Sequence, residues 1–490
     1  MEISRMDEIR MILEGAAGAA MTLPEIITEE IKDFVKSPQY QTIVEAEQYY
    51  RNRSDVQRKE NPLKNRSNVK MEHPILRKLV DQKADYLLAR KFTVESENTA
   101  YSDALNDLFD NTFRRKIKSF GKGAVKSGIA YLAPYYDDTG MLRWMRLPST
   151  EVIPLWTDFE HTELDAYIRF YRQTVYEGKN RREIIRVEFW DKSGVTKFKS
   201  DSIGGTLYPD ADPATGENKF PHFTRGRKGM NWEAVPLVWA KYNEEELPLC
   251  YFIKDLIDDV NWQASVTSDV LRDIAKFIYI IKGYGGQDLG EFIRDLRDSL
   301  AVKVDADGGV DKMEPTLNID AVMAFLDKNR RDLFDCGNGV DTKDPDLGNA
   351  SGTAINFRYM GLDSDCAALG AELQNAFERM KLFFDVYLQT SGKGDFTGEH
   401  FEITFNTDMP VNEADVIANY AASGGGKLSD RTLLANHPWV TSVDDELAEI
   451  KKEKEEALAE FGEGLFNASM GSDGTATGNG NGGVMNGEEG

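Results

Sequence analysis

At 490 residues the chain is long enough to bury a large core and to divide into more than one domain. With 41% hydrophobic and 29% charged residues it has the balance of a soluble globular protein, and its formal net charge of -24 excludes a whole-chain basic surface for gripping phosphates. Cys250, Cys336 and Cys366 stand far apart without C-x-x-C spacing, which argues against a disulfide framework or zinc site and for a reducing compartment; no apolar run reaches the ~18 residues of a membrane span, and the early acids Glu2, Asp7, Glu8 and Glu14 do not suit a secretory leader.

Residues 1–21 read as a loosely ordered N-terminal arm. Thr22 and Glu25 have capping-box spacing around Pro24, so a helix should run from there to about Lys36, and Ser37-Pro38 opens the next. Arg51–Lys70 is polar and basic and reads as a surface loop, after which His73-Pro74 starts a helix with apolar positions from Ile75 to Leu88. Phe92 and Val94 suggest a short strand, and Leu105–Lys126 one helix. Strands are expected at about 129–135, 141–147, 165–175, 183–190 and 195–200, separated by turn sequences such as Asp137-Asp138-Thr139-Gly140. A polar loop, 204–229, precedes a strand at 235–240. Helices followed by an antiparallel meander define an α+β class.

From Pro248, a tolerated first-turn proline, apolar residues recur at helical period as far as Ile274. Lys276–Ile281 switches to a β-rich run ended by Gly283, Gly285 and Gly286. A short helix near 288–298, a strand at 299–304 and a turn at Asp305–Gly309 should follow. Asn318 or Asp320 can cap a second helix with Ile319, Val322, Met323, Leu326, Leu333 and Phe334 on one face. A very long third helix runs from Ile355 to Tyr387 with apolar steps of three or four, and Gly361 and Gly370 are candidate bend points. Phe401, Ile403 and Phe405 alternate as a strand would. Residues 411–463 look helical, and the Gly-rich tail, 464–490, should be disordered.

Chemistry-bearing motifs are weak. Ser423-Gly424-Gly425-Gly426-Lys427-Leu428 and Ser391-Gly392-Lys393-Gly394 lack the hydroxyl that a phosphate-binding loop needs directly after its lysine. Asp305, Asp307 and Asp311 lack the terminal bidentate Glu of a calcium loop. Asp255, Asp258, Asp259, Asp269 and Asp273 admit a carboxylate-dependent metal hydrolase or nuclease, against the plainer reading of a solvated helix face. Between Glu244 and Ala275 there are eight acids and two bases, Lys254 and Arg272, so a ring of such helices would carry a negative rim that repels rather than holds a polyanion. The Gly-, Asn- and Asp-rich link Thr342–Thr353 reads either as a simple connection or as a loop pointed into a channel, with Lys343 its cation.

The stretches NRSNVKMEHPILRKLVDQKADYLLARKFTV (65–94), VPLVWAKYNEEELPLCYFIKDLIDDVNW (235–262), VKVDADGGVDKMEP (302–315) and SGKGDF (391–396) occur in an order and at separations that resemble the portal proteins of tailed double-stranded DNA phages, of the long-tailed, siphophage type. The resemblance covers residues 40–460. It implies a portal-type fold: wing 22–246 with antiparallel sheet, helices and a strand at 400–407, stem helices 247–275 and 318–341, small α/β clip 276–317, tunnel loop 342–353, linking helix 354–390 and helical crown 411–463.

It also implies twelve copies in a ring at one capsid vertex, a non-enzymatic channel for DNA packaging and ejection, and no cofactor. The partners so implied are the chain itself, double-stranded DNA, the terminase motor, head-completion proteins, and capsid and scaffolding proteins, without a membrane. The location would be the virion, after assembly in the host cytoplasm. By resemblance Thr342, Lys343, Asp344, Asn349, Ser351 and Thr353 belong to the tunnel loop. Asp255, Asp259, Trp262, Arg272, Arg330 and Arg331 belong to the stem, and Lys282, Tyr284, Arg294 and Arg297 to the clip surface that docks partners. A metal hydrolase or nuclease and a monomeric scaffolding or adaptor protein stand as the competing expectations.

Overall fold

The computed structural model describes residues 4–14, 21–60, 67–226, 228–273, 278–282, 290, 309–313, 318–344, 352–407, 429–435, 440, 443 and 446–455. The chain divides into two units, one of residues 1–348 with 356–409 and one of residues 349–355 with 410–490.

In the first unit, α1 (Arg5–Glu14) and α2 (Leu23–Lys36) lie on one face of a sheet of order β4-β5-β6-β7-β8, with β9 also paired to β7. These strands are β4 (Val152–Trp156), β5 (Leu164–Glu177), β6 (Asn180–Asp191), β7 (Gly194–Ser200), β8 (Tyr208–Pro209) and β9 (Lys219–Phe220). Alternation along the strands explains the two cores. Ala166, Ile168 and Phe170 face the helices with Ile185, Val187 and Phe189, and meet Met6, Ile9, Ile26, Ile27 and Ile31. Tyr167 points the other way, into a second core with Ile129, Tyr131, Leu147 and Trp239 of the three-stranded sheet β12-β2-β3. Those strands are β2 (Ile129–Tyr136), β3 (Leu142–Leu147) and β12 (Val238–Lys241), while β10 (Phe223–Arg225) and β11 (Lys228–Met230) form a separate hairpin.

The remaining helices are α3 (Pro38–Tyr50), α4 (Ile75–Leu88), α5 (Thr99–Leu108), α6 (Asn111–Ser127), α7 (Leu249–Asp273), α8 (Ile319–Cys336) and α9 (Gly352–Thr390). Within the first unit α9 buries Leu362, Cys366, Leu369, Leu373, Phe377, Met380, Phe384 and Leu388, one residue every three or four as a helix in a core must. Phe377 lies 5.4 Å from Phe92 and 5.7 Å from Phe109, and Phe384 5.3 Å from Phe109, mostly edge to face. Strand β1 (Thr93–Glu95) pairs antiparallel with β15 (Glu402–Thr404), joining the segment after α9 to the strand after α4. In the second unit, α10 (Asp430–Ala435) buries Leu433 and Leu434, and residues 446–455 are helical.

Several expectations need correction. The N-terminal arm contains a helix, α1, because Met6 and Ile9 are buried on the sheet. Leu105–Lys126 is two helices: Asp110 accepts a hydrogen bond from the Phe113 amide at 2.7 Å and caps a new start. The strand β4 was not expected; it holds Pro154, which an edge strand tolerates. Arg51–Lys70 is not simply a surface loop, since Asp55–Arg58 forms a 3-10 turn and Val56 and Lys59 are buried. Gly309 begins β14 (Gly309–Met313), the antiparallel partner of β13 (Ile278–Lys282), and the rest of the turn expected at 305–309 lies outside the described residues. The expected helix at 288–298, the strand at 299–304, most of 411–463 and the tail lie outside the described residues.

Candidate functional site

The chain leaves α7, forms the β13–β14 pair and returns through α8, which packs back against α7. Asn318 caps α8 by accepting from the Ala321 amide at 3.1 Å. Upper α7 buries Leu249, Ile253, Ile257 and Val260. Lower α7 buries polar side chains instead, and the reason is an extended segment, residues 67–73, running antiparallel along it. The His73 amide donates to Asn261 Oδ1 at 2.9 Å, Met71 to Ser265 Oγ at 2.9 Å, Val69 to Asp269 Oδ1 at 2.6 Å and Ser67 to Asp273 Oδ2 at 3.1 Å. Every second amide of the strap meets every fourth residue of the helix. The register holds because two extended residues span roughly 6.6 Å and four helical residues roughly 6 Å.

Asp255 keeps the solvated position expected of it, but the contacts of Asp258, Asp259, Asp269 and Asp273 correct that reading for the other four and equally disfavour a carboxylate metal site. Asp269 and Asp273 are committed to backbone amides, and Asp269 is also paired with buried Lys59. Asp258 accepts from Tyr49 Oη at 2.6 Å and pairs with Lys254 at 2.9 Å. Asp259 accepts from Asn329 Nδ2 of α8 at 2.5 Å. Glu246 is buried against His161 Nδ1, 2.6 Å away. Of the eight acids counted between Glu244 and Ala275, Glu244, Glu245 and Asp255 are exposed. Arg272 is exposed, and Trp262 is 46% exposed with the Lys59 ammonium 5.7 Å from its ring centre.

The segment after α8 is tied at its base to α4 and α9. Arg330 forks onto Asp341, donating from Nη2 to Oδ1 at 2.8 Å, and this pairing holds the Asp341 carboxyl at about 2, well below the ordinary range. The Lys343 amide caps the same carboxylate at 3.1 Å, while its side chain is exposed. Thr342 Oγ1 accepts from Lys78 Nζ at 3.4 Å, and Asp344 is paired with Arg358 of α9. Thr342, Lys343 and Asp344 are thus held at the loop's root, and Thr353 already lies in the first turn of α9, inside the limits expected for the loop. Arg331 lines an open cleft of about 360 Å³ with Phe334, Phe357 and Arg358. Asn349 and Ser351 lie outside the described residues. So do Tyr284, Arg294 and Arg297; Lys282 ends β13 opposite Gly309. Sequence reasoning missed the strap and the loop's seat on α4, because neither has a local signature.

Large apolar side chains stay uncovered on the same hairpin. Tyr251, Phe252 and Leu271 on α7 and Ile319, Met323 and Phe325 on α8 are 44–59% exposed, as are Phe357 and Met360 at the start of α9, at 70% and 63%. No helix of the described residues is long and apolar enough to cross a membrane. A mixed helix-and-sheet body bearing a helical hairpin with uncovered apolar side chains defines a class: the subunit of a larger assembly. The model of the family described as phage portal protein, SPP1 Gp6-like, matches residues 33–460, and the chain belongs to that family. It is 29% identical over 378 residues to the portal protein of Bacillus phage SPP1, covering 76% of this chain and 74% of that protein. It is 25% identical over 429 residues to the portal protein of Clostridium phage phiCD119, covering 83% and 91%. The protein is a bacteriophage portal protein, a virion component of a structural rather than catalytic family.

Proposed function

We propose that twelve copies of this chain form a ring at one capsid vertex, through whose central channel double-stranded DNA is packaged and later ejected. In this reading α7 and α8 are the stem. The segment 276–317 containing β13 and β14 is the clip that docks the terminase motor and then head-completion proteins. Capsid and scaffolding proteins are the other partners, residues 411–463 are the crown, and assembly takes place in the host cytoplasm. The observation that carries the proposal is the exposed apolar set on α7, α8 and the start of α9, which copies about an axis would bury. The net charge of -24 accords with it, since a chain with no excess of positive charge does not hold a polyanion fast.

Electron microscopy of the purified protein across a salt series is the test. Rings with a central hole are expected; a monodisperse monomer under every condition overturns the reading. Residues 342–353 are proposed to face the channel. Deleting 349–352 should leave rings intact and impair packaging, and normal packaging would end that assignment.

A further inference from the structure

The helix α4 carries more polar contacts to residues 338–342 than its own fold requires. Gln82 satisfies both backbone groups of Val340 with one amide, Nε2 donating to the carbonyl at 2.9 Å and Oε1 accepting from the N–H at 2.9 Å. Lys83, fully buried, donates from Nζ to the Asn338 carbonyl at 2.9 Å and pairs with Asp365 of α9 at 2.7 Å. A buried ammonium is tolerated only when both kinds of partner are present. Lys78 reaches Asp341 at 3.6 Å and lies 4.7 Å from the centre of the Phe334 ring. The turn is pressed so closely onto α4 that a Cβ on Gly339 would stand 2.2 Å from Leu79 Cδ2 and one on Gly337 2.8 Å from Leu79 Cδ1. Asn338 between them takes φ of +46°.

Opposite Lys78 and Gln82 on α4, Leu76, Val80, Ala84 and Leu87 are all buried. The root of the loop is therefore fixed to α4, and through Lys83 and Asp365 to α9, rather than carried by the end of α8 alone. We propose that Lys78, Gln82 and Lys83 of α4 form a positioning seat, which fixes residues 338–342 at the root of the channel loop and so governs DNA passage without touching DNA. This rests on the reading of residues 342–353 as a channel loop.

The test uses full-length protein, both as purified rings and in phage particles made with each variant as the sole portal. For Gln82→Ala, ring yield should match the parent and the thermal midpoint should fall by no more than a few degrees, while exchange in the peptide containing Val340 should quicken about tenfold and DNA per particle should fall at least tenfold. Gln82→Glu, which still accepts from the Val340 N–H, should fall between. Should Gln82→Ala fail to form rings, Lys78→Met, at a part-exposed position, replaces it with the same expectation. Faster exchange with normal packaging in intact rings overturns the seat while leaving the portal reading standing. Failure of the parent chain to form rings overturns both.

Discussion

The backbone amide of Val69 donates to Asp269 Oδ1 at 2.6 Å, and the same carboxylate neutralises Lys59, whose side chain is 7% exposed. One aspartate thus closes a rung of the strap and offsets a buried cation. Asp269→Ala should lower stability by about 3 kcal/mol, because it strands the ammonium away from water. Adding Lys59→Met should recover part of that loss. A double-mutant cycle on urea midpoints reads the coupling, and simple additivity would contradict the pairing.

Gly128 ends α6 at φ +82°, where a Cβ would stand 1.8 Å from the Glu246 carbonyl oxygen. That contact sets how the chain enters α7. Gly128→Ala should cost at least about 2 kcal/mol through combined backbone strain and overlap, measured as a lowered thermal midpoint.

Phe252 is 51% exposed on α7, with its edge-to-face partner Tyr251 5.5 Å away. Phe252→Glu should change the stability of the single chain by no more than about 0.5 kcal/mol. Sedimentation should nevertheless show rings replaced by smaller species. Rings at normal yield would place the subunit contact elsewhere.

The Arg330 fork keeps Asp341 ionised down to about pH 2, against 3.8 for an unperturbed carboxyl. The folded pKa is depressed, so the contribution is complete above about pH 4 and is lost as pH falls towards 2. The gap in urea midpoint between the parent and Asp341→Asn should be widest near neutrality and narrow over that window. A gap independent of pH would argue against the ion pair.

Burial pushes the Cys250 and Cys366 thiols up to about 12, while Cys336 is exposed at the end of α8. A thiol reagent at pH 8 should therefore modify one cysteine per native chain quickly, at Cys336, and all three after denaturation. Peptide mapping identifies the site, and rapid labelling of Cys366 would contradict the packing of α9.

Local signals carried much of this fold. Thr22 and Glu25 close a capping box as their spacing requires, with the Thr22 amide donating to Glu25 at 2.7 Å. The α9 periodicity, the β5–β6–β7 meander and the Asn318 cap were readable for the same reason: each depends on neighbours in sequence. The helix α7 shows where that stops. Its apolar period implied one stripe throughout, yet the buried lower positions are Asn261, Ser265 and Asp273, because their partner is a backbone about 200 residues away. In the same way, Leu105, Phe109, Phe113, Ile117 and Phe120 keep a near-helical spacing across the break at Asp110, so periodicity hid two helices in one. For the site, the resemblance supplied the expectation of a stem and a loop, but the contact of Gln82 with Val340 is one that no spacing announces.

The strap along α7 also bears on how this chain can drift over generations. Its rungs at Val69 and Met71 take only peptide groups from the strap, so side chains there can be exchanged without shifting the register. The specification is stored on the helix, at positions 261, 265, 269 and 273. Homologues should preserve hydrogen-bond acceptors at those four places while the side chains at 69 and 71, which take no part in the rungs, vary more widely.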